Sequence, residues 1–259
     1  MKRRETPHPI VAEAISLYVE SRPFRSLHGI YVAALAIVVV VAWPGRSPIY
    51  FYRGGFVPPV FLTVVIAQTV LTGAFSTLFG LGRPASRRTT GFVGWVEGSP
   101  LPTREILFAK HSIGLIHTLV LVAIATPIAV VAAVPAGVPP AAIAASIAVV
   151  ALTGIVCRSA GLLIGSVGEL SYVTLVVGPW VFVAALFIGT IVVYPPLNPI
   201  ASVSAVVSAE SANAIAHQIL QTVVSVVPLS ALIVAVHGRV LARIRKLYLE
   251  RTGRLAEDR

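Results

Sequence analysis

The amino-acid sequence predicts an all-α polytopic membrane protein with six transmembrane helices. Three observations carry that prediction. Hydrophobic residues make up 56% of the chain and charged residues 12%, where soluble domains carry about 25% charged residues. The apolar residues fall in blocks of about 20, the length a helix needs to cross a bilayer. Nearly all Lys and Arg residues sit in the short segments between those blocks.

Residues 1–26 are basic and polar at first, then mildly amphipathic. Ile10, Ala14, Leu17 and Tyr18 recur near helical spacing, Glu13, Glu20, Arg22 and Arg25 take other positions, and Pro23 interrupts the pattern. This predicts an interfacial helix lying on the inner leaflet. The first span covers 27–43 and ends at Pro44, Gly45 and Pro48. It closes without a small-x-small cleavage site, so it is read as a retained span rather than a signal peptide. The loop to residue 56 places Tyr50, Phe51 and Tyr52 at the membrane interface, where aromatic rings are favoured.

The second span covers 57–79, with Pro58 and Pro59 in its first turn, where proline costs least. Residues 80–112 form the longest polar internal connection and carry Arg83, Arg87, Arg88, Arg104 and Lys110. The third span covers 113–134, and Pro127 is expected to bend or locally open it. Pro135, Gly137, Pro139 and Pro140 make a short uncharged turn. The fourth span covers 141–164. Gly161 and Gly165, four apart, permit a close helix contact. Arg158 lies in its last third and either snorkels to the inner surface, the favoured reading, or faces the bundle interior.

The fifth span covers 172–194, with Pro179 in its first half. Residues 195–217 differ in kind. Pro195, Pro196, Asn198 and Pro199 break the helix, and Ser202, Ser204, Ser208, Glu210, Ser211 and Asn213 make the stretch too polar to face lipid. Short re-entrant or outer-surface helices are expected there, with Glu210 solvated or lining a substrate exit. The sixth span covers 218–238, with Pro228 inside it, and residues 240–259 form a basic tail.

Charge sets the orientation. With both termini cytoplasmic, all Lys and Arg except Arg46 and Arg53 fall on the cytosolic side, as the positive-inside rule requires. The net charge of +10 is therefore a signature of contact with an anionic membrane surface, not of nucleic acid.

Several chemistries are disfavoured. Cys157 is the only cysteine, Met1 the only methionine and Asp258 the only aspartate. This leaves no intrachain disulfide, no cysteine-rich metal site and no paired aspartates. The chain has no glycine-rich phosphate loop ending in Gly-Lys-Ser/Thr and no HExxH motif. His111 and His117, six apart, are read as lying on nearly opposed helix faces, in packing or interfacial roles rather than as a ligand pair. The other histidines are His8, His28, His217 and His237. Ser159 and Ser166 lack a nearby acid–base pair in the sequence, so hydrolase chemistry is not expected. The chain is read as a non-enzyme without its own metal or cofactor.

The most charged internal stretch is GSPLPTREILFAKHSIG, residues 98–114. Thr103 is positioned to cap a helix beginning near Arg104, with Glu105 in the first turn, where the dipole favours an anion. Ile106, Leu107, Phe108 and Ile113 give an apolar side, and Arg104, Lys110 and His111 a basic one. Such a helix either anchors the loop at the interface or docks a cytosolic partner.

Residues 99–111, from Ser99 through Pro100, Pro102, Thr103, Arg104 and Glu105 to Lys110 and His111, resemble the cytosolic motif of permease subunits of type-2 (exporter-like) ABC transporters. There a small-residue, proline and Arg-Glu segment leads into a helix with a lysine. The resemblance implies an elbow helix in 1–26, a six-span domain over 27–239, a coupling helix at about 98–114, outer helices at about 195–217 and a cytosolic tail at 240–259. It implies that Pro100, Thr103, Arg104, Glu105, Phe108 and Lys110 contact a separate ATPase, with Gly168 and Glu169 in a second, smaller contact. It further implies two ATPase copies, which would supply ATP and Mg, and a second permease copy or homologous permease. The location would be the cell (plasma or inner) membrane. The alternative is a non-transporting structural or assembly subunit of a membrane complex. The transported substrate is left open.

Overall fold

The computed structural model describes residues 22–43, 59–81, 101–133, 137–168 and 172–257. The expected interfacial helix falls mainly on 1–21, the aromatic loop on 44–56, and Pro100 and Glu169 on the connections 82–100 and 169–171. These lie outside the described residues.

The described chain is helical. In order it forms α1 (Arg22–Ala42), α2 (Pro59–Gly80), α3 (Thr103–Ala133), α4 (Pro140–Gly168) and α5 (Tyr172–Ala184). A π-helical turn (Ala185–Gly189) leads into α6 (Thr190–Val193), and a 3-10 turn (Pro195–Leu197) into α7 (Pro199–Val207) and α8 (Ala212–Glu257). Among the described residues, six segments are long and apolar enough to cross a membrane: Arg25–Ala42, Val60–Gly80, Thr103–Ala133, Pro140–Val167, Val176–Val193 and Ala212–Leu247. The protein is a polytopic helical membrane protein.

The helices alternate in direction. At one end of the bundle the C-terminal half of α4 meets the start of α3, through Arg158 and Gly114, and the end of α2, through Gly161 and Gly80. At the other end Phe61, Ala132, Ala142, Val203 and Ile215 share one apolar core. The described Lys and Arg residues belong to helix segments at the first end, called the basic end below.

α2 and α4 form the axis. In them 56% and 50% of the spanning stretch is buried, against 11% in α1 and 17% in both Val176–Val193 and α8. The outer helices turn Val40, Val41, Trp180, Val192, Leu220 and Val224 outward, the surface that lipid tails demand of a bundle. Glycine allows the central approach. A β-carbon on Gly161 would lie 2.2 Å from the Thr77 carbonyl oxygen, and one on Gly165 would lie 2.9 Å from that of Leu81. The close contact expected at Gly161 and Gly165 is thus made, and its partner is α2.

Five hydroxyls inside the bundle are satisfied locally. Thr69, Thr77, Ser146, Thr153 and Ser166 each donate to the carbonyl four residues earlier, which spares an apolar interior an orphan donor. Asn198 serves the broken fifth span. Its amide donates to the Phe187 carbonyl at 2.9 Å and to Thr190 Oγ1 at 3.0 Å. Its own oxygen accepts from the Ala201 amide at 2.9 Å and so caps α7. The π-helical turn misaligns carbonyls, and Asn198 recovers one of them. Of residues 195–217, α7 buries Pro199, Ser202, Val203, Val206 and Val207, and Glu210 in the link to α8 is exposed.

Three expectations are revised. The helix of 98–114 and the span of 113–134 are one unbroken helix, which stays α-helical through Pro127. The sixth span and the basic tail likewise form one helix reaching Glu257. Arg158 does not snorkel. It is 2% exposed, because the glycine contacts with α2 fix the rotation of α4 and turn this side chain inward against Gly114.

Candidate functional site

Two features at the basic end bear on function. The first is the projecting start of α3. This helix has 31 residues, about 46 Å at 1.5 Å per residue, against ~30 Å of hydrocarbon. It is therefore longer than the core by about ten residues, and its charged residues, Arg104, Glu105 and Lys110, all fall in its first turns. The Pro102 carbonyl accepts the first helical bonds, from the Glu105 amide at 3.0 Å and the Ile106 amide at 3.2 Å. Thr103 is consequently the first helical residue and not the cap. Its hydroxyl accepts instead from Arg245 of α8 at 3.3 Å, while Arg245 also donates to the Leu101 carbonyl at 2.8 Å.

The predicted contact residues divide by face. Arg104, Glu105 and Phe108 are all exposed, and their spacing of three and four puts them on one face. Phe108 is 74% exposed, whereas Ile106 is fully buried against Leu101, Ala109 and Ile113. The expected single apolar side is therefore split: Ile106 and Ile113 hold the helix to the bundle, and Phe108 points away. Thr103 turns to Arg245, and Lys110 is half-buried. Gly168 is the last residue of α4.

The second feature is internal. Four histidines form two ring pairs. His28 of α1 and His117 of α3 meet Nε2 to Nε2 at 3.0 Å, with the Phe79 ring against both. His111 Nε2 of α3 meets His237 Nδ1 of α8 at 3.0 Å. His237 Nε2 in turn meets Ser166 Oγ at 2.9 Å, and Ser159 Oγ lies 3.5 Å from His111 Nδ1. The two histidines of α3 are not on opposed faces. They flank Gly114, three residues from each, and Arg158 packs on that glycine between them.

Sequence reasoning missed this constellation, in which Ser166 has a histidine partner. Part of the signal was present: Ser159 and Ser166 are two turns apart and so share a face of α4. The rest needed the packing of α3 and α8. The connectivity Ser166–His237–His111 is that of a nucleophile, a base and an orienting group. However, Ser166 is 1% exposed and His237 is fully buried. In this arrangement a substrate carbonyl has no approach to the hydroxyl from outside the described residues.

Among the described residues no cluster of three or more His, Cys, Asp or Glu is placed to hold a metal ion. Compared with known protein families, curated proteins and solved structures, the chain matches none.

Proposed function

We propose that this chain is the membrane-embedded permease subunit of an ATP-driven transporter of the type-2 ABC class. Its six spans would form the substrate path with a second copy or a homologous permease. Two separate ATPase subunits would bind ATP and Mg and dock from the cytosol. Both termini and the basic end then face the cytosol, in the plasma or inner membrane.

The observation that carries this reading is Phe108. A phenylalanine 74% exposed, beside Arg104 and Glu105 and beyond the hydrocarbon core, is what a partner groove would use as an anchor with charges to set register. The unbroken α3 gives that anchor a mechanical role. A push on its outer turns is transmitted along one rigid rod into the bundle, and Arg245 ties the same turns to α8. ATP binding would draw the ATPases together, and α3 would follow.

The test is affinity purification of the full chain, expressed in its native cells and solubilised in mild detergent. An ATPase that co-purifies and crosslinks to a photoreactive residue at position 108 supports the reading. A chain that performs its transport without any nucleotide-hydrolysing companion, or labelling that places residues 101–110 on the outer side, overturns it.

A further inference from the structure

We propose that Ser159, His111, His237 and Ser166 form a proton relay running along the bundle axis at its basic end. This inference stands on hydrogen bonds inside the bundle and is independent of the docking proposed for α3.

The four groups make one continuous chain, 3.5 Å, 3.0 Å and 2.9 Å from link to link. It starts and ends on α4 and passes through α3 and α8 between. Ser159 and Ser166 are two helical turns apart, so the path advances about 10 Å along the axis. One polarity satisfies every member. Ser159 O–H donates to His111 Nδ1, His111 Nε2–H to His237 Nδ1, and His237 Nε2–H to Ser166 Oγ. Ser166 O–H then donates to the Leu162 carbonyl at 3.0 Å. Both rings are neutral in this state, each with one donor and one acceptor nitrogen.

Proton transfer reverses the chain without charge left behind. Water at the inner end gives a proton to Ser159 Oγ as its own proton moves to His111 Nδ1. The Nε2 proton of His111 passes to His237 Nδ1, and that of His237 passes to Ser166 Oγ. The former Ser166 proton turns from the Leu162 carbonyl to a water molecule, which must enter from the basic end because Ser166 is buried. Each N–H or O–H bond broken is matched by one formed.

At the inner end Ser76 Oγ and the methyl groups of Thr118 and Thr72 approach Gly154, one and a half turns deeper along α4 than Ser159. The hydroxyls of Ser76 and Thr118 are buried and have no hydrogen-bond partner among the described residues, the condition that ordered water meets in protein interiors.

The test is ¹⁵N NMR of the full chain in lipid nanodiscs with [¹⁵N]histidine, resonances being assigned with His111→Gln and His237→Gln. A working relay averages the two ring nitrogens of His111 and of His237 between pyrrole-type and pyridine-type shifts. Ser166→Ala and Ser159→Ala remove the averaging and fix one tautomer, Ser166→Thr preserves it, and His28 and His117 are unaffected. A single fixed tautomer at both rings of the unsubstituted protein across histidine's titration range overturns the relay. So does averaging that survives both alanine substitutions, or an equal response at His28 and His117.

Discussion

Gly161 of α4 lies so close beneath Thr77 of α2 that a β-carbon there would sit 2.2 Å from the threonine's carbonyl oxygen. Backbone cannot yield as a side-chain tip does, so Gly161→Ala must separate the two axial helices. Overpacking of this kind costs about 1–3 kcal/mol. Gly29→Ala, with nothing within 4 Å, provides the comparison. Unfolding in mixed micelles is expected to show a clear loss for the first and a change within about 0.5 kcal/mol for the second.

Asn198 is fully buried and serves two elements at once, the π-helical turn and α7. Asn198→Ala strands the Phe187 carbonyl and removes the cap, for an expected loss of about 1–3 kcal/mol. Asn198→Asp keeps the cap acceptor but cannot donate to Phe187 when ionised. Hydrogen exchange should therefore accelerate in 199–207 with alanine, and less there with aspartate.

Arg245 holds the outer turn of α3 through the Leu101 carbonyl and Thr103. Arg245→Ala is expected to fray that turn, at a cost of about 1.5–3 kcal/mol for a charged hydrogen bond. Amide exchange at 103–107 reports it, and protection in the second half of α3 should stay unchanged. Arg245→Lys, with one donor position in place of a fork, should fall between.

Phe108→Ala combined with Arg104→Ala removes the exposed anchor and its neighbouring charge without touching a buried contact. Membrane insertion and thermal stability should be unaltered. Binding of the proposed ATPase should weaken at least tenfold, about 1.4 kcal/mol or more for an interface anchor, with a matching loss of transport-coupled ATP hydrolysis. Unchanged coupling in a purified complex would remove Phe108 and Arg104 from this role.

The chain's own order made the spans legible. Hydropathy is a local property, so blocks of about 20 apolar residues, the prolines at 195–199 and the glycine pair at 161 and 165 could each be read in place. Boundaries were less legible. Charge in 104–111 suggested a separate helix, but Ile106, Ala109 and Ile113 continue the buried face and no breaker stands between Lys110 and Leu115, so α3 runs through. Leu107 and Phe108 likewise look equivalent by composition, yet Leu107 packs near Gly238 and Phe108 faces outward.

The sequence by itself determined that this is a membrane protein whose described residues hold six apolar spans, with their Lys and Arg at one end, since length, hydropathy and charge placement suffice for both. Only the tertiary structure decided that Arg158 turns inward and that His111 meets His237. Those outcomes depend on how far each helix is rotated about its axis. The rotation is set where Gly161 and Gly165 let α4 lie against α2, and by where α3 and α8 then come to rest.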